Sequence, residues 1–247
     1  MMVGPNPSAT IALMSEGGLL AQFLPELEEL KGVEQGSYHH LDVWGHTLLC
    51  LDNIASTNLI TRLAALFHDI AKPETRFVDA DGRTRFFGHE VVGSEKARTI
   101  MNRLKYSGDE TSAVVILVRQ HMRFANSKLS ASAARRLIRD IGDHLPALLD
   151  LCEADNSAHH PAMPRLDFQA IRAKLESVAQ VTPASTLTSP LDGKEIMQVL
   201  NLSAGRKIKE AKEFLCEQVL DGRLAPEDKE AAVALLLSWY SGHNRGE

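Results

Sequence analysis

Cysteine is scarce. The 247 residues hold three, Cys50, Cys152 and Cys216, widely separated and without CxxC spacing. That excludes a disulfide framework and a zinc ribbon as the basis of the fold, and it fits a reducing cytoplasm. Long apolar runs are also missing: nothing approaches the roughly 20 consecutive apolar residues that span a bilayer. Residues 1–10 carry no basic segment followed by a long apolar stretch, so the chain is expected to be neither exported nor membrane-embedded. A strong excess of one charge is absent too. The formal net charge is -5, with 24% charged and 44% hydrophobic residues, which excludes disorder and a global polyanion clamp. Any RNA contact must then be a local basic patch. A chain of this length can bury a substantial core, enough for one large helical domain or one domain with a small appendage.

What the sequence does have is histidine and aspartate where hydrophobes belong. His68-Asp69 interrupts the apolar stretch 63–72 and sets an imidazole beside a carboxylate, a pairing suited to a divalent metal. His46 lies upstream, and His89, His121 and Asp155 follow. A lone histidine on an apolar face is more often a hydrogen-bonded core residue than a ligand. Several in series change that, because an unpaired buried Asp69 or Asp155 costs several kcal/mol and a metal is the simplest compensation. The competing arrangement is a metal-free core in which Lys72, Arg62 and Arg119 neutralise the carboxylates.

Periodicity predicts a mainly α chain. Residues 9–30 read as a helical segment broken near Gly17-Gly18 and Pro25. His46 falls among Val43, Cys50 and Ile54 at helical spacing, and Leu59 to Ala71 carries Leu63, Leu66, Phe67 and Ile70, with Pro73 ending the helix near His68 and Asp69. Residues 76–87 alternate around Asp81-Gly82 and read as a short hairpin, the one expected sheet. Helices follow from Gly88 to Leu104, Ala113 to Arg123, Ala133 to Ile141 and Leu145 to Ala158, the last carrying Asp155. The expected domains are an N-terminal helical segment (1–37), a metal-binding domain (38–179), a Thr-, Ser- and Pro-rich linker (180–190) and a small helical extension (191–247).

The order H…HD…H…H…D resembles the HD-domain superfamily of metal-dependent phosphohydrolases. More specifically, Tyr38-His39-His40-Leu41-Asp42-Val43-Trp44-Gly45-His46-Thr47-Leu48, His68-Asp69-Ile70-Ala71-Lys72-Pro73-Glu74-Thr75-Arg76, Phe86-Phe87-Gly88-His89-Glu90 and His121-Met122-Arg123 are similar to the HD portion of bacterial tRNA nucleotidyltransferase/poly(A) polymerase proteins. Leu191-Asp192-Gly193-Lys194-Glu195-Ile196-Met197 and Gly205-Arg206-Lys207-Ile208 resemble that family's tRNA-facing C-terminal segment. The resemblance implies a mainly α HD-domain helical bundle with one short β-hairpin and a small helical C-terminal extension. Two departures stand out: Gly45 takes the place of a more frequent glutamate, and Gly205-Arg206-Lys207 is more basic than the family's turn. No nucleotidyltransferase head of the Gly-Ser, Asp-x-Asp type is read here, so nucleotide addition by this chain alone is not expected.

The chemistry so implied is phosphoester hydrolysis. His46, His68, Asp69 and Asp155 would hold one divalent ion, with a second held by His89 and His121 and bridged by Asp69, as the superfamily's dinuclear members imply. Otherwise His89 and His121 serve as general acid and substrate binder in a mononuclear site. The nitrogen-rich donor set suits Ni, Co, Mn, Fe or Zn better than Mg. Asp69, Lys72, His89 and His121 form the expected catalytic group, with Lys72, Arg76 and Arg123 as phosphate-binding cations. The remaining histidines, His39, His40, His144, His159, His160 and His243, are read as structural or surface, with His40 the first exception. The implied substrate is a phosphomonoester or 2′,3′-cyclic phosphodiester of a nucleotide or RNA end. The alternative is a non-catalytic tRNA- or RNA-binding module, or a partner subunit of a separate nucleotidyltransferase.

Overall fold

The protein was analysed as a computed structural model that describes residues 2–36, 40–124 and 129–243. Tyr38 and His39 lie outside the described residues. The chain divides into two compact units, one of Met1–Ser127 with Asp143–Phe168 and one of Lys128–Gly142 with Gln169–Glu247. Among the described residues, no helix is long and apolar enough to cross a membrane.

The first unit holds α1 (Pro7–Glu16), α2 (Leu20–Phe23), α3 (Pro25–Glu28), α4 (Val43–Asn53), α5 (Leu59–Phe67), α6 (Lys72–Thr75), β1 (Arg76–Val78), β2 (Thr84–Phe86), α7 (His89–Arg103), α8 (Gly108–Gln120) and α10 (Leu145–Ala158). Its core is the packing of α4, α5, α8 and α10 on one another, with α7 against α8. Every residue of α5 from Thr61 to Phe67 is buried, the signature of a helix wrapped on all sides. Asn58 starts this helix by accepting from the amides of Ile60 and Thr61, and Ser107 and Glu110 cap α8 reciprocally. Arg62, the one charged residue of α5, donates to the carbonyls of Met2, Gly4 and Ser56. It is therefore taken up by backbone, and Arg119 is exposed, so neither neutralises the buried carboxylates.

The hairpin pairs Arg76 with Phe86, Phe77 with Arg85 and Val78 with Thr84, and is the one sheet among the described residues. Its tip is built by Asp79, whose side chain accepts from the amides of Asp81 and Arg83. Gly45 sits close against the cap of α4. A β-carbon there would lie 3.2 Å from the Asp42 carboxylate, which caps α4 by accepting from the Gly45 amide at 2.8 Å.

A bidentate pair links α7 to α3: Arg103 donates to both carboxylate oxygens of Glu26, at 2.7 and 2.8 Å. Burial works against the charge on Glu26, but the hydrogen bond and charge of Arg103 outweigh it and hold the carboxyl below the usual glutamate range. A depressed acid stabilises above its unfolded pKa, and that contribution is lost as the pH falls through the folded value. Glu26→Gln is expected to lower stability by about 1 kcal/mol near neutrality, a figure suited to a half-exposed pair. The gap from wild type should close in acid, which urea unfolding at about pH 7 and about pH 3 measures.

The second unit contains α9 (Ala131–Ile141), α12 (Gly193–Leu200), α13 (Arg206–Asp221) and α14 (Lys229–His243), together with most of α11 (Phe168–Val181). Arg136 of α9 bridges Glu217 at 2.6 Å and Asp221 at 2.8 Å on α13. These units cut the chain differently from the sequence boundaries, because the apolar stripe of α9 is buried within the second unit instead of the first. The expected linker is also more ordered than its composition suggests. It carries a 3-10 turn, Ala184–Thr186, and Leu187 is fully buried. The basic start of α13 is a solvated helix face, with Arg206 paired to Glu210 at 2.6 Å and Lys209 to Glu213 at 3.8 Å.

Candidate metal centre

Five separate segments of the first unit send side chains to one point. His46 comes from α4, His68 and Asp69 from the turn after α5, His89 from the first position of α7, His121 from the 3-10 turn that closes α8, and Asp155 from α10. Helix α5 stops at Phe67, and Pro73 sits in the first turn of α6, where a missing amide hydrogen is harmless. Residues 68–71 form the connecting turn, which aims His68 and Asp69 inward. Gly88, at φ +74°, makes the left-handed step from β2 into α7 that places His89.

The site is tight and buried. His46 Nε2 lies 2.9 Å from Asp155 Oδ1 and 3.3 Å from His68 Nε2. Asp69 faces both halves of the cluster: Oδ2 is 3.2 Å from His68 Nε2 and 3.6 Å from His46 Nε2, while Oδ1 is 3.4 Å from His89 Nε2 and 3.8 Å from His121 Nε2. Two triads result, His46, His68 and Asp155, and Asp69, His89 and His121, each with ligand atoms within 4.8 Å of one another. All six residues read from the sequence are thus brought together, with Asp69 between the two histidine pairs.

The tautomers test whether cations fit there. His68, His89 and His121 each set Nδ1 2.7 Å from a backbone carbonyl, those of Ala65, Phe86 and Val118. A carbonyl has no hydrogen to give, so each Nδ1 is the donor, and in the neutral ring Nε2 is left with a lone pair. The Nε2 atoms of His89 and His121 then face each other at 3.1 Å. Two lone pairs at that separation require a proton or a cation between them. Nδ1–H held by a carbonyl, with Nε2 free, is also the arrangement that orients a metal-binding histidine. The donor set fits divalent metal.

The electrostatics show two carboxylates that draw positive charge to this point. Burial opposes charging of His68, but the Asp69 carboxylate and, behind it, Asp155 raise its pKa above the ordinary imidazole value. Burial also opposes ionisation of Asp69, yet the charges of His68 and Lys72 hold it well below the usual carboxylate range. Asp155 is likewise held low, against burial, by its hydrogen bond with His46 and the charge of His68. Burial and the charge on His68 push His121 down to about 3, so its ring stays neutral and offers a lone pair at any ordinary pH. Both carboxylates are therefore held in their anionic form.

Lys72 is buried, and its ammonium sits 2.7 Å from Asp69 Oδ2, as its spacing three residues past Asp69 predicts. Arg76 and Arg123 are exposed, on β1 and on the 3-10 turn after α8. Sequence reasoning missed two residues. Gln35 is buried and accepts from Lys72 Nζ at 2.5 Å; it lies in an irregular segment with no periodicity to single it out. His159, read as structural or surface, stacks on His46 with ring centroids 5.8 Å apart, and its Nε2 is 3.7 Å from Asp155 Oδ1. Its signal was the spacing of four residues from Asp155 on α10. His40, the favoured exception, packs edge-on against His160 at 5.6 Å. The three cysteines are free thiols, and burial raises the pKa of Cys50 and Cys152.

The HD domain family matches residues 36–158, a range that encloses all six clustered residues. The chain is similar to the CC-adding tRNA nucleotidyltransferase of Thermus thermophilus, at 36% identity over 98% of this chain and 55% of that protein. It is also similar to the A-adding tRNA nucleotidyltransferase of Deinococcus radiodurans, at 33% identity over 94% and 55%, and to the multifunctional CCA protein of Halorhodospira halophila, at 29% over 84% and 52%. The chain spans about half the length of these relatives.

Proposed function

Since residues 36–158 match the HD domain family, we propose that the chain is a metal-dependent phosphohydrolase, cleaving a phosphomonoester or a 2′,3′-cyclic phosphodiester of a nucleotide or RNA end. The observation that carries this reading is the pair of buried His/Asp triads joined at Asp69. The ligands proposed are His46, His68 and Asp155 for one ion and His89 and His121 for a second, with Asp69 shared. A divalent ion bound there supplies Lewis acidity, which lowers the pKa of water and offsets charge on phosphate oxygens.

The chain's own residues supply the rest. Asp69, its carboxyl held well below the usual carboxylate range by the charges of His68 and Lys72 against the cost of burial, is the carboxylate common to both halves. The neutral ring of His121 favours a ligand's role over that of a general acid. Lys72, held between Asp69 and Gln35, is placed to pass its ammonium hydrogens to a phosphate oxygen arriving at the same point. Burial of His46, His68, Asp69, His89 and His121 strengthens each of these interactions.

The test is a hydrolysis screen of the chain loaded with Ni, Co, Mn, Mg or Zn. The substrates are a phosphomonoester, 2′,3′-cyclic nucleotides, 3′,5′-cyclic nucleotides and dNTPs. Turnover of one class that is lost on chelation and restored by metal is expected. Stoichiometric metal with no turnover of any substrate would overturn the hydrolase reading. It would favour the second one, a tRNA-binding part of a nucleotide-adding assembly, which the names of the relatives support.

A further inference from the structure

The cluster meets water at Asp155. The side chains of His46, His68, Asp69, His89 and His121 are at most 7% exposed, whereas that of Asp155 is 14% exposed. Beside it stands His159, one helical turn further along and 30% exposed, with Nε2 3.7 Å from Asp155 Oδ1. Helix α10 ends at this residue, where the backbone turns extended. The position of His159 is fixed from both sides. Its ring stacks on that of His46, 13° from parallel, and Arg165 donates to its carbonyl at 3.2 Å and to the carbonyl of Asn156.

The neighbouring donors are committed elsewhere. Lys72 reaches the cluster at Asp69, and His160 accepts from the Ala162 amide at 3.1 Å while its ring packs on His40. His159 instead presents a nitrogen to Asp155, whose carboxyl is held anionic by the hydrogen bond with His46 and the charge of His68. A ring lone pair facing an anionic oxygen is repelled by it, so the hydrogen of the neutral imidazole belongs on Nε2. The 3.7 Å separation is longer than a hydrogen bond, so an oxygen arriving at Asp155 from solvent does not have to displace one. An ionised phosphate brings oxygens that only accept, and a positioned N–H is the group that receives them.

We propose that His159 is a substrate-contacting residue, whose Nε2–H donates to a phosphate oxygen entering the site at Asp155, as Lys72 does on the Asp69 side. The inference deepens the phosphohydrolase reading and rests on it for the choice of phosphate as the ligand. The role needs a neutral ring with its hydrogen on Nε2, and no change of charge. A histidine that only supported His46 by stacking would act differently: its loss would change how much metal is held and leave the affinity of the loaded site for phosphate as it was.

The experiment uses the whole manganese-loaded chain with inorganic phosphate as the probe, titrated by calorimetry, and counts bound manganese by mass spectrometry. His159→Leu keeps apolar bulk against His46 and removes the donor, whereas His159→Gln keeps an N–H at a similar reach. Phosphate affinity should fall about tenfold or more in His159→Leu, the size of a hydrogen bond to a charged group, and stay within about threefold of wild type in His159→Gln. Manganese content should match the wild type in both. Lower manganese in either variant would make His159 a ligand or a support for one, and overturns the proposal. So does wild-type phosphate affinity in His159→Leu, a glutamine variant as weak as the leucine one, or a loaded wild type that binds no phosphate. Phosphate binding that depends on His159, without hydrolysis of any substrate, would keep the contact and overturn the phosphohydrolase instead.

Discussion

Asp69→Asn is expected to lower kcat by about a thousandfold or more and to remove most of the bound metal. The substitution keeps the volume and the side-chain torsions, so the surrounding helices are not disturbed. What it removes is the one anion that faces both histidine pairs, with Oδ2 at 3.2 Å from His68 and Oδ1 at 3.4 Å from His89. The carboxamide retains a single acceptor oxygen, and its NH2 group is a donor that cannot bind a cation on the other side. Metal analysis and steady-state kinetics of the variant, with circular dichroism to confirm the fold, check this. A variant with wild-type metal content and kcat would show that the cluster is not the reaction centre.

The second large effect concerns Lys72. In the metal-free chain its ammonium neutralises Asp69 inside the protein, so Lys72→Met leaves a buried carboxylate with one fewer cation and should cost about 3 kcal/mol. A divalent ion restores positive charge at the same carboxylate, so the deficit should shrink when metal is added. In the loaded protein the variant should lose about a hundredfold in kcat, because the charge proposed to meet the phosphate is gone. Denaturant unfolding with and without metal, together with kinetics, separates the two roles. Equal stability of variant and wild type without metal would contradict the pairing.

The six clustered residues were singled out by the order H…HD…H…H…D and its resemblance to the HD-domain superfamily, with the expense of burying aspartate and histidine in apolar helices as support. Local pattern located the hairpin, since Asp-Gly between alternating segments has few other uses. Residues whose role depends on the approach of distant segments were harder. Gln35 lies in irregular chain, and nothing local marks it as the partner of Lys72. His159 shares a helix face with Asp155, but the break of the helix at that residue hid the relation. The assignment of α9 to the second unit is likewise tertiary, because an amphipathic stripe shows that a helix is buried on one side without naming its partner. The expected linker has a largely irregular backbone with one 3-10 turn, and its Thr, Ser and Pro composition gives no sign that Leu187 is fully buried.

The most direct test of this account is the metal content of the chain after saturation with manganese and exhaustive dialysis, measured by mass spectrometry beside Asp69→Asn. Two triads joined by Asp69 predict close to two ions per chain for the wild type and fewer than one for the variant. A wild-type chain that retains no metal, or a variant that retains as much as the wild type, would contradict it.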